Sequence, residues 1–118
     1  MKILIVDDDA ELRDLLRVFL ASKGHDVDTA PDGDQALRLI DENKYDLAFL
    51  DFSMPKITGL QIVEHMKAHK CKTRTIVITA YPLMKDFLVN TIGADEYLSK
   101  PFRLEEVDGL LQKYVAVR

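Results

Sequence analysis

The chain has no tryptophan, a single cysteine, and few of the residues that break or staple a fold: four prolines and five glycines in 118 residues. Cys71 alone excludes an internal disulfide and suits a reducing compartment. No apolar run approaches the roughly 20 residues that span a bilayer. The opening MKILIVDDD turns acidic too soon for a secretory leader. A cytoplasmic protein without a membrane partner is therefore expected. Lys and Arg (16) are outnumbered by Asp and Glu (20) for a net charge of −4, and they form no cluster. Direct binding to nucleic acid is not expected from such a surface. With no Pro/Ser-rich linker, low-complexity tract or repeat, residues 1–118 read as one domain. That length buries a core without staples.

What the sequence does hold is a regular alternation. Ile3-Leu4-Ile5-Val6 is apolar at every position, as a strand buried on both faces of a parallel sheet must be. Leu12, Leu15, Leu16, Phe19 and Leu20 then recur at helical spacing until Gly24. A weaker strand around Asp26 to Ala30 leads through Pro31-Asp32-Gly33 into a helix carrying Ala36, Leu37 and Ile40. Leu47-Ala48-Phe49-Leu50 is the third strand, and Leu60, Ile62, Val63 and Met66 mark the third helix. Ile76-Val77-Ile78 is the fourth strand, Phe87, Leu88 and Ile92 suggest a fourth helix, and Glu96 to Ser99 a short fifth strand. The last helix carries Leu104, Val107, Leu110, Leu111 and Tyr114; Gly109 inside it costs about 1 kcal/mol relative to Ala, so burial must hold it. Five strand–helix units predict an α/β fold, a doubly wound parallel sheet with right-handed crossovers.

In such sheets ligands sit beyond the carboxyl ends of the strands. The first strand runs into Asp7-Asp8-Asp9, the third ends in Asp51, the fourth in Thr79-Ala80 and the fifth in Lys100-Pro101. With strand order 2-1-3-4-5, one common doubly wound arrangement, Asp7, Asp8, Asp51, Thr79 and Lys100 converge on one rim. Two carboxylates about 4 Å apart repel by roughly 4 kcal/mol at an effective dielectric of about 20. A hard divalent cation relieves this, and Mg²⁺ typically takes one or two carboxylates, waters and a phosphate. A carboxylate nucleophile, a metal, a lysine and a hydroxyl together suit phosphoryl transfer. Each residue alone has a plainer role. Asp9 serves as N-cap of the first helix, Thr79 as a β-branched strand residue, and Lys100 as a solvated lysine. Their joint placement carries the argument.

At these residues the sequence resembles the receiver domains of bacterial response regulators, over essentially its whole length. The matching segments are ILIVDDD, LAFLDFSMP followed by Gly59, VITA and DEYLSKPF, in order. The resemblance implies a flavodoxin-like sheet of order 2-1-3-4-5 and a two-component phosphorelay in which Asp51 accepts a phosphoryl group from a phosphohistidine. Mg²⁺, with Mn²⁺ as substitute, would be bound by Asp8, Asp51 and the Ser53 backbone carbonyl, with Asp7 acting through water. Thr79 and Lys100 would contact the phosphoryl group, Tyr97 would be the switch aromatic, and the Lys100–Pro101 peptide would be cis. Ser53 and Tyr81 occupy positions that tune phosphoryl lifetime. The donor would be a histidine kinase or histidine phosphotransfer protein docking near the first helix. The output would be a changed surface around the fourth helix, fifth strand and fifth helix, read by a downstream protein target or by a second copy in a phosphorylation-dependent homodimer. The chain would carry no output domain. It would act as a switch with self-directed phosphoryl transfer and slow autodephosphorylation, not as a turnover enzyme.

Some positions depart from the family pattern. Ile57-Thr58-Gly59 replaces the commoner Met-Asp-Gly or Met-Asn-Gly, the stretch from Thr79 to Gly93 is about one residue short and contains Pro82, and Arg103 is a poor N-cap. His65 and His69, four apart with Cys71 beyond the helix end, have metal-ligand spacing but lack an evident fourth ligand. Three other functions compete. A haloacid-dehalogenase-type phosphatase would need Thr or Val where Glu11 stands, and a cap domain. A flavodoxin-like cofactor module would need a Ser-, Thr- or Gly-rich phosphate loop, where Asp7-Asp8-Asp9 would repel a phosphate. A purely structural interaction domain leaves the acidic rim unexplained.

Overall fold

A computed structural model describes residues 1–115. The strands are β1 (Lys2–Val6), β2 (Asp26–Ala30), β3 (Leu47–Asp51), β4 (Arg74–Thr79) and β5 (Glu96–Ser99), all paired in parallel in the order β2-β1-β3-β4-β5. The helices are α1 (Ala10–Ser22), α2 (Gly33–Glu42), α3 (Gly59–Ala68) and α4 (Leu104–Val115).

Strand side chains alternate between two apolar layers, which is why the central strands are apolar at every position. Leu4, Val6, Ala48, Leu50 and Val77 face α2 and α3 through Ala36, Ile40, Ile62, Val63 and Met66. Ile3, Ile5, Leu47, Phe49, Ile76 and Ile78 face α1 and α4 through Leu16, Leu20, Val107, Leu111 and Tyr114. Among the described residues no helix is long and apolar enough to cross a membrane.

The helix ends follow local chemistry. Lys23 and Gly24 close α1, with the Gly24 N–H donating to the Ala21 carbonyl at 3.0 Å and Gly24 at φ +89°, a conformation glycine adopts without steric cost. Asp32 caps α2 by accepting from the Gln35 N–H at 2.9 Å. Arg103, a poor cap by side chain, is served from the other direction: its N–H donates to Glu106 Oε1 at 3.1 Å, the return half of a capping box.

The expected fourth helix is not α-helical. A 3₁₀ turn at Pro82–Met84 precedes a π-helical segment at Phe87–Ile92, which ends at the left-handed Gly93. Val89, Thr91 and Ile92 are β-branched and disfavour the α conformation. Asp86, at the N-cap position, makes no side-chain cap bond, and Leu88 is the segment's buried residue. Leu88 packs into the core layer shared with α3.

In α4, Gly109 is exposed and a Cβ built there meets nothing within 4 Å. Burial of Val107, Leu111 and Tyr114 holds the helix, because each large apolar side chain buried contributes about 1.5–3 kcal/mol against about 1 kcal/mol lost at the glycine. Gly109→Ala is accordingly expected to raise stability by about 1 kcal/mol in urea unfolding. A lower midpoint at unchanged slope would contradict that account.

Candidate functional site

The acidic run after β1 divides its work. Asp9 caps α1, its Oδ1 accepting from the N–H groups of Glu11 (3.0 Å) and Leu12 (3.3 Å). Asp7 is fully buried, and its Oδ1 accepts from the Asp9 N–H at 2.9 Å. Asp8 between them is exposed. Arg13, on the first turns of α1, donates from Nη1 to the Asp7 carbonyl at 2.8 Å and fixes the loop.

Asp51, the last residue of β3, is buried to 3% exposure and stands opposite Ile78 of β4. Its Oδ1 accepts from the Ser53 N–H at 3.2 Å. Lys100 reaches across from the end of β5, placing Nζ 3.6 Å from Asp51 Oδ2 and 3.5 Å from Asp7 Oδ2. Asp7 Oδ2 is buried without a hydrogen-bond partner. The carboxylates of Asp7, Asp8 and Asp51 offer ligand oxygens that all lie within 4.8 Å of one another.

One ammonium does not balance this group. Burial first, and then the charge of Asp7, push the Asp51 carboxyl up from 3.8 to about 7, against the opposing pull of Lys100 and the Ser53 N–H. A buried oxygen with no hydrogen bond beside a carboxyl whose proton affinity is raised marks a site short of positive charge. Its donor set, carboxylate oxygens open to solvent through Asp8, fits a hard divalent cation.

Thr79, 1% exposed, ends β4 opposite Ser99. Its Oγ1 accepts from the Tyr81 N–H at 3.0 Å, and its carbonyl accepts from the Lys100 N–H at 2.7 Å. The Lys100–Pro101 peptide is cis. Tyr97 lies on β5 opposite Val77 and is half-buried. Ser53 and Tyr81 are exposed; Ser53 engages Asp51 through its backbone N–H.

Three positioning contacts lie outside the sequence expectations. A Cβ at Gly59 would stand 2.5 Å from the Asp51 carbonyl oxygen, so only glycine lets the start of α3 approach the end of β3 this closely. Thr58 and Gln61 form a complete capping box, with the Gln61 N–H 3.3 Å from Thr58 Oγ1 and the Thr58 N–H 2.9 Å from Gln61 Oε1; Thr58 thus does the work of the commoner Asp or Asn. Arg13 is the third, and a cation one turn past an acidic N-cap was its only signal. Ile57 packs on the α2 start, where a Cβ at Gly33 would come within 2.4 Å of Ile57 Cβ.

The second candidate cluster is engaged otherwise. His65 Nε2 lies 2.9 Å from Asp41 Oδ1, His69 Nδ1 donates to the His65 carbonyl at 2.8 Å, and Cys71 Sγ lies 3.2 Å from Thr73 Oγ1. The two imidazoles stack with centroids 4.1 Å apart. Among the described residues, only Asp7, Asp8 and Asp51 bring three such ligand atoms together.

Comparison with known proteins agrees with this geometry. The model of the response regulator receiver domain matches residues 3–112. The transcriptional regulatory protein RprY of Bacteroides fragilis is 38% identical over 108 residues, covering 91% of this chain and 46% of that protein. The two-component response regulator PhoP of Pseudomonas aeruginosa is 35% identical over 112 residues, covering 94% of this chain and 50% of that protein. The chain thus spans about half the length of these curated relatives. Among solved structures, the response regulator TrrA of Thermotoga maritima, in complex with Mg²⁺–BeF, superposes with a TM-score of 0.85 at 35% identity, covering 96% of this chain and 97% of that one. The chemotaxis protein CheY4 of Vibrio cholerae gives 0.87 at 29% identity, covering 96% and 97%. An acidic rim at the carboxyl end of a 2-1-3-4-5 sheet and a family match spanning nearly the whole sequence place this chain in the response regulator receiver domain family.

Proposed function

We propose that the chain is the phosphoacceptor module of a two-component phosphorelay, with Asp51 as the acceptor. The observation that carries this reading is the buried Asp51 carboxylate at the end of β3, facing Lys100 Nζ at 3.6 Å and clustered with Asp7 and Asp8. A carboxylate oxygen of Asp51 attacks the phosphorus of a phosphohistidine as the P–N bond breaks, leaving an aspartyl phosphate and the donor imidazole. Catalysis here is positioning and charge neutralisation. Asp8, Asp51 and the Ser53 carbonyl would hold Mg²⁺ (or Mn²⁺), and Asp7 would act on it through water. When bound, the cation neutralises the carboxylates and the phosphoryl oxygens. Lys100 supplies a compact ammonium to the phosphoryl group and Thr79 a hydroxyl donor. Ser53 and Tyr81, two residues beyond Asp51 and Thr79 and both exposed, would tune the lifetime of the aspartyl phosphate against slow autodephosphorylation.

The donor is a histidine kinase or phosphotransfer protein, and it docks beside α1. Leu15 and Val18 are 51% and 55% exposed there, and Leu12, Leu15, Pro101, Phe102 and Leu104 line a cavity of about 380 Å³ next to Lys100. Phosphorylation adds charge that draws Thr79 toward the rim and frees the segment after β4. The altered surface comprises the 3₁₀ and π segments, β5 and α4. A downstream protein or a second copy reads it.

Intact mass after incubation with acetyl phosphate tests the assignment. Wild type with Mg²⁺ is expected to gain one phosphoryl group, and Asp51→Asn none. Equal uptake by the Asn variant would sink the site. No uptake by wild type, together with no binding of beryllofluoride in Mg²⁺, would leave an interaction-only member of the family.

A further inference from the structure

Tyr97 packs half-buried against the core layer that contains Val77 and Leu88. The exposed Lys85, lying between the 3₁₀ turn and the π segment, brings Nζ to 5.4 Å from the centroid of the Tyr97 ring. That is within the range of about 6 Å over which a ring face attracts a cation. The same segment is tied at its start, where the Tyr81 N–H donates to Thr79 Oγ1 at 3.0 Å. Residues 81–85 are thus anchored once to each of the two groups expected to move together. Between these anchors Met84 packs on the same core layer, while Leu83 is 98% exposed and Asp86 makes no side-chain cap bond.

We propose that Lys85 is a positioning residue that latches Tyr97 in the unphosphorylated arrangement and thereby sets how readily the chain switches. The proposal rests on the phosphoacceptor reading and adds a residue to it. The Thr79 hydroxyl can donate while its Oγ1 accepts, so it is the displacement of Thr79 toward a phosphoryl oxygen that stretches the bond from the Tyr81 N–H. Loss of that bond releases the start of the segment, Lys85 withdraws from the ring, and Tyr97 is free to reorient. A contact made in only one of two states biases their ratio by its own free energy. For an exposed cation–π contact the bias is about two- to fivefold.

The test is titration with beryllofluoride in Mg²⁺, followed by NMR, on wild type, Lys85→Met and Lys85→Arg, and on Tyr97→Leu with and without Lys85→Met. The Met variant keeps the aliphatic stem and loses the charge. It is expected to bind about two- to fivefold more tightly than wild type, with the Arg variant near wild type. In the Tyr97→Leu background the Lys85 substitution is expected to change nothing, as a double-mutant cycle requires of a contact between the two. General electrostatics predicts the opposite sign, since removing a cation weakens binding of an anion. Equal or weaker binding by Lys85→Met would overturn the latch, as would the same tightening without the Tyr97 ring. Failure of wild type itself to bind beryllofluoride would instead overturn the phosphoacceptor reading, and the latch with it.

Discussion

In metal-free buffer at pH 8, Asp51→Asn is expected to be more stable than wild type by about 2–4 kcal/mol, and the advantage should vanish below about pH 4. The folded protein holds the Asp51 carboxyl near 7, mainly by burial and then by the neighbouring Asp7 charge, against 3.8 for the free side chain. Such a raised group favours folding most below its unfolded value, where both states are protonated. As pH rises from about 4 to about 7 the unfolded chain gives up its proton and the folded chain keeps it, so stability falls through that window and stays low above it. At about 1.36 kcal/mol per unit of pKa shift the full loss approaches about 4 kcal/mol. Asn keeps the shape without the charge and should flatten the profile. Saturating Mg²⁺ should stabilise wild type much more than the variant, because a ligand that binds only the folded state adds to its stability. Urea unfolding at a series of pH values reads all of this. Parallel profiles for the two proteins, or a wild type as stable as the variant at pH 8, would show that the rim is not short of positive charge.

The second large effect is expected at a residue with no chemistry of its own. Gly59→Ala places a Cβ 2.5 Å from the Asp51 carbonyl oxygen and 3.2 Å from Phe52 Cα. Both neighbours are backbone, so no side chain can rotate aside. Either the start of α3 or the end of β3 must shift. Overpacking of this kind typically costs about 1–3 kcal/mol, and a shift borne by β3 moves Asp51, the acceptor on the proposed reading. Phosphoryl uptake from acetyl phosphate is therefore expected to fall at least about tenfold, beyond what the stability loss explains, since misplacement of about 1 Å can cost that much or more. Thr58→Ser nearby, which keeps the capping hydroxyl, should leave uptake near wild type. A Gly59→Ala variant that takes up phosphate at the wild-type rate would show that the close approach is incidental to the site.

The contrast between these residues shows how far the sequence could be read. Ile3 to Val6 and Leu47 to Leu50 announce central strands because both faces of a parallel sheet are buried, and every one of those side chains is fully covered. Asp9 and Asp32 announce helix starts because an N-cap is a local device. The acidic rim requires something that no local pattern contains, the order of the strands, and that comes from the family resemblance. Gly59 is obscure for a related reason: its role is set by how closely the start of α3 approaches the end of β3, whereas Thr58 and Gln61 carry the local spacing of a capping box. The expected fourth helix differs in kind from the segment that forms. Phe87, Leu88 and Ile92 have helical spacing, but a hydrophobic period cannot tell an α turn from a π turn when only Leu88 must reach the core.

The placement of the rim on four of the five strands also bears on how the protein comes into being. Asp7 leaves the ribosome long before Lys100, so the acidic pair waits without its ammonium partner while the intervening strands are made. Until β5 is made, the carboxylates of Asp7 and Asp51 have no Lys100 to offset them. Only when β5 adds to the edge of β4 does Lys100 arrive, and with it, on the phosphoacceptor reading, the competence to receive a signal. On that reading, phosphoryl acceptance needs the finished sheet, and a copy still missing β5 would lack the lysine that faces Asp51.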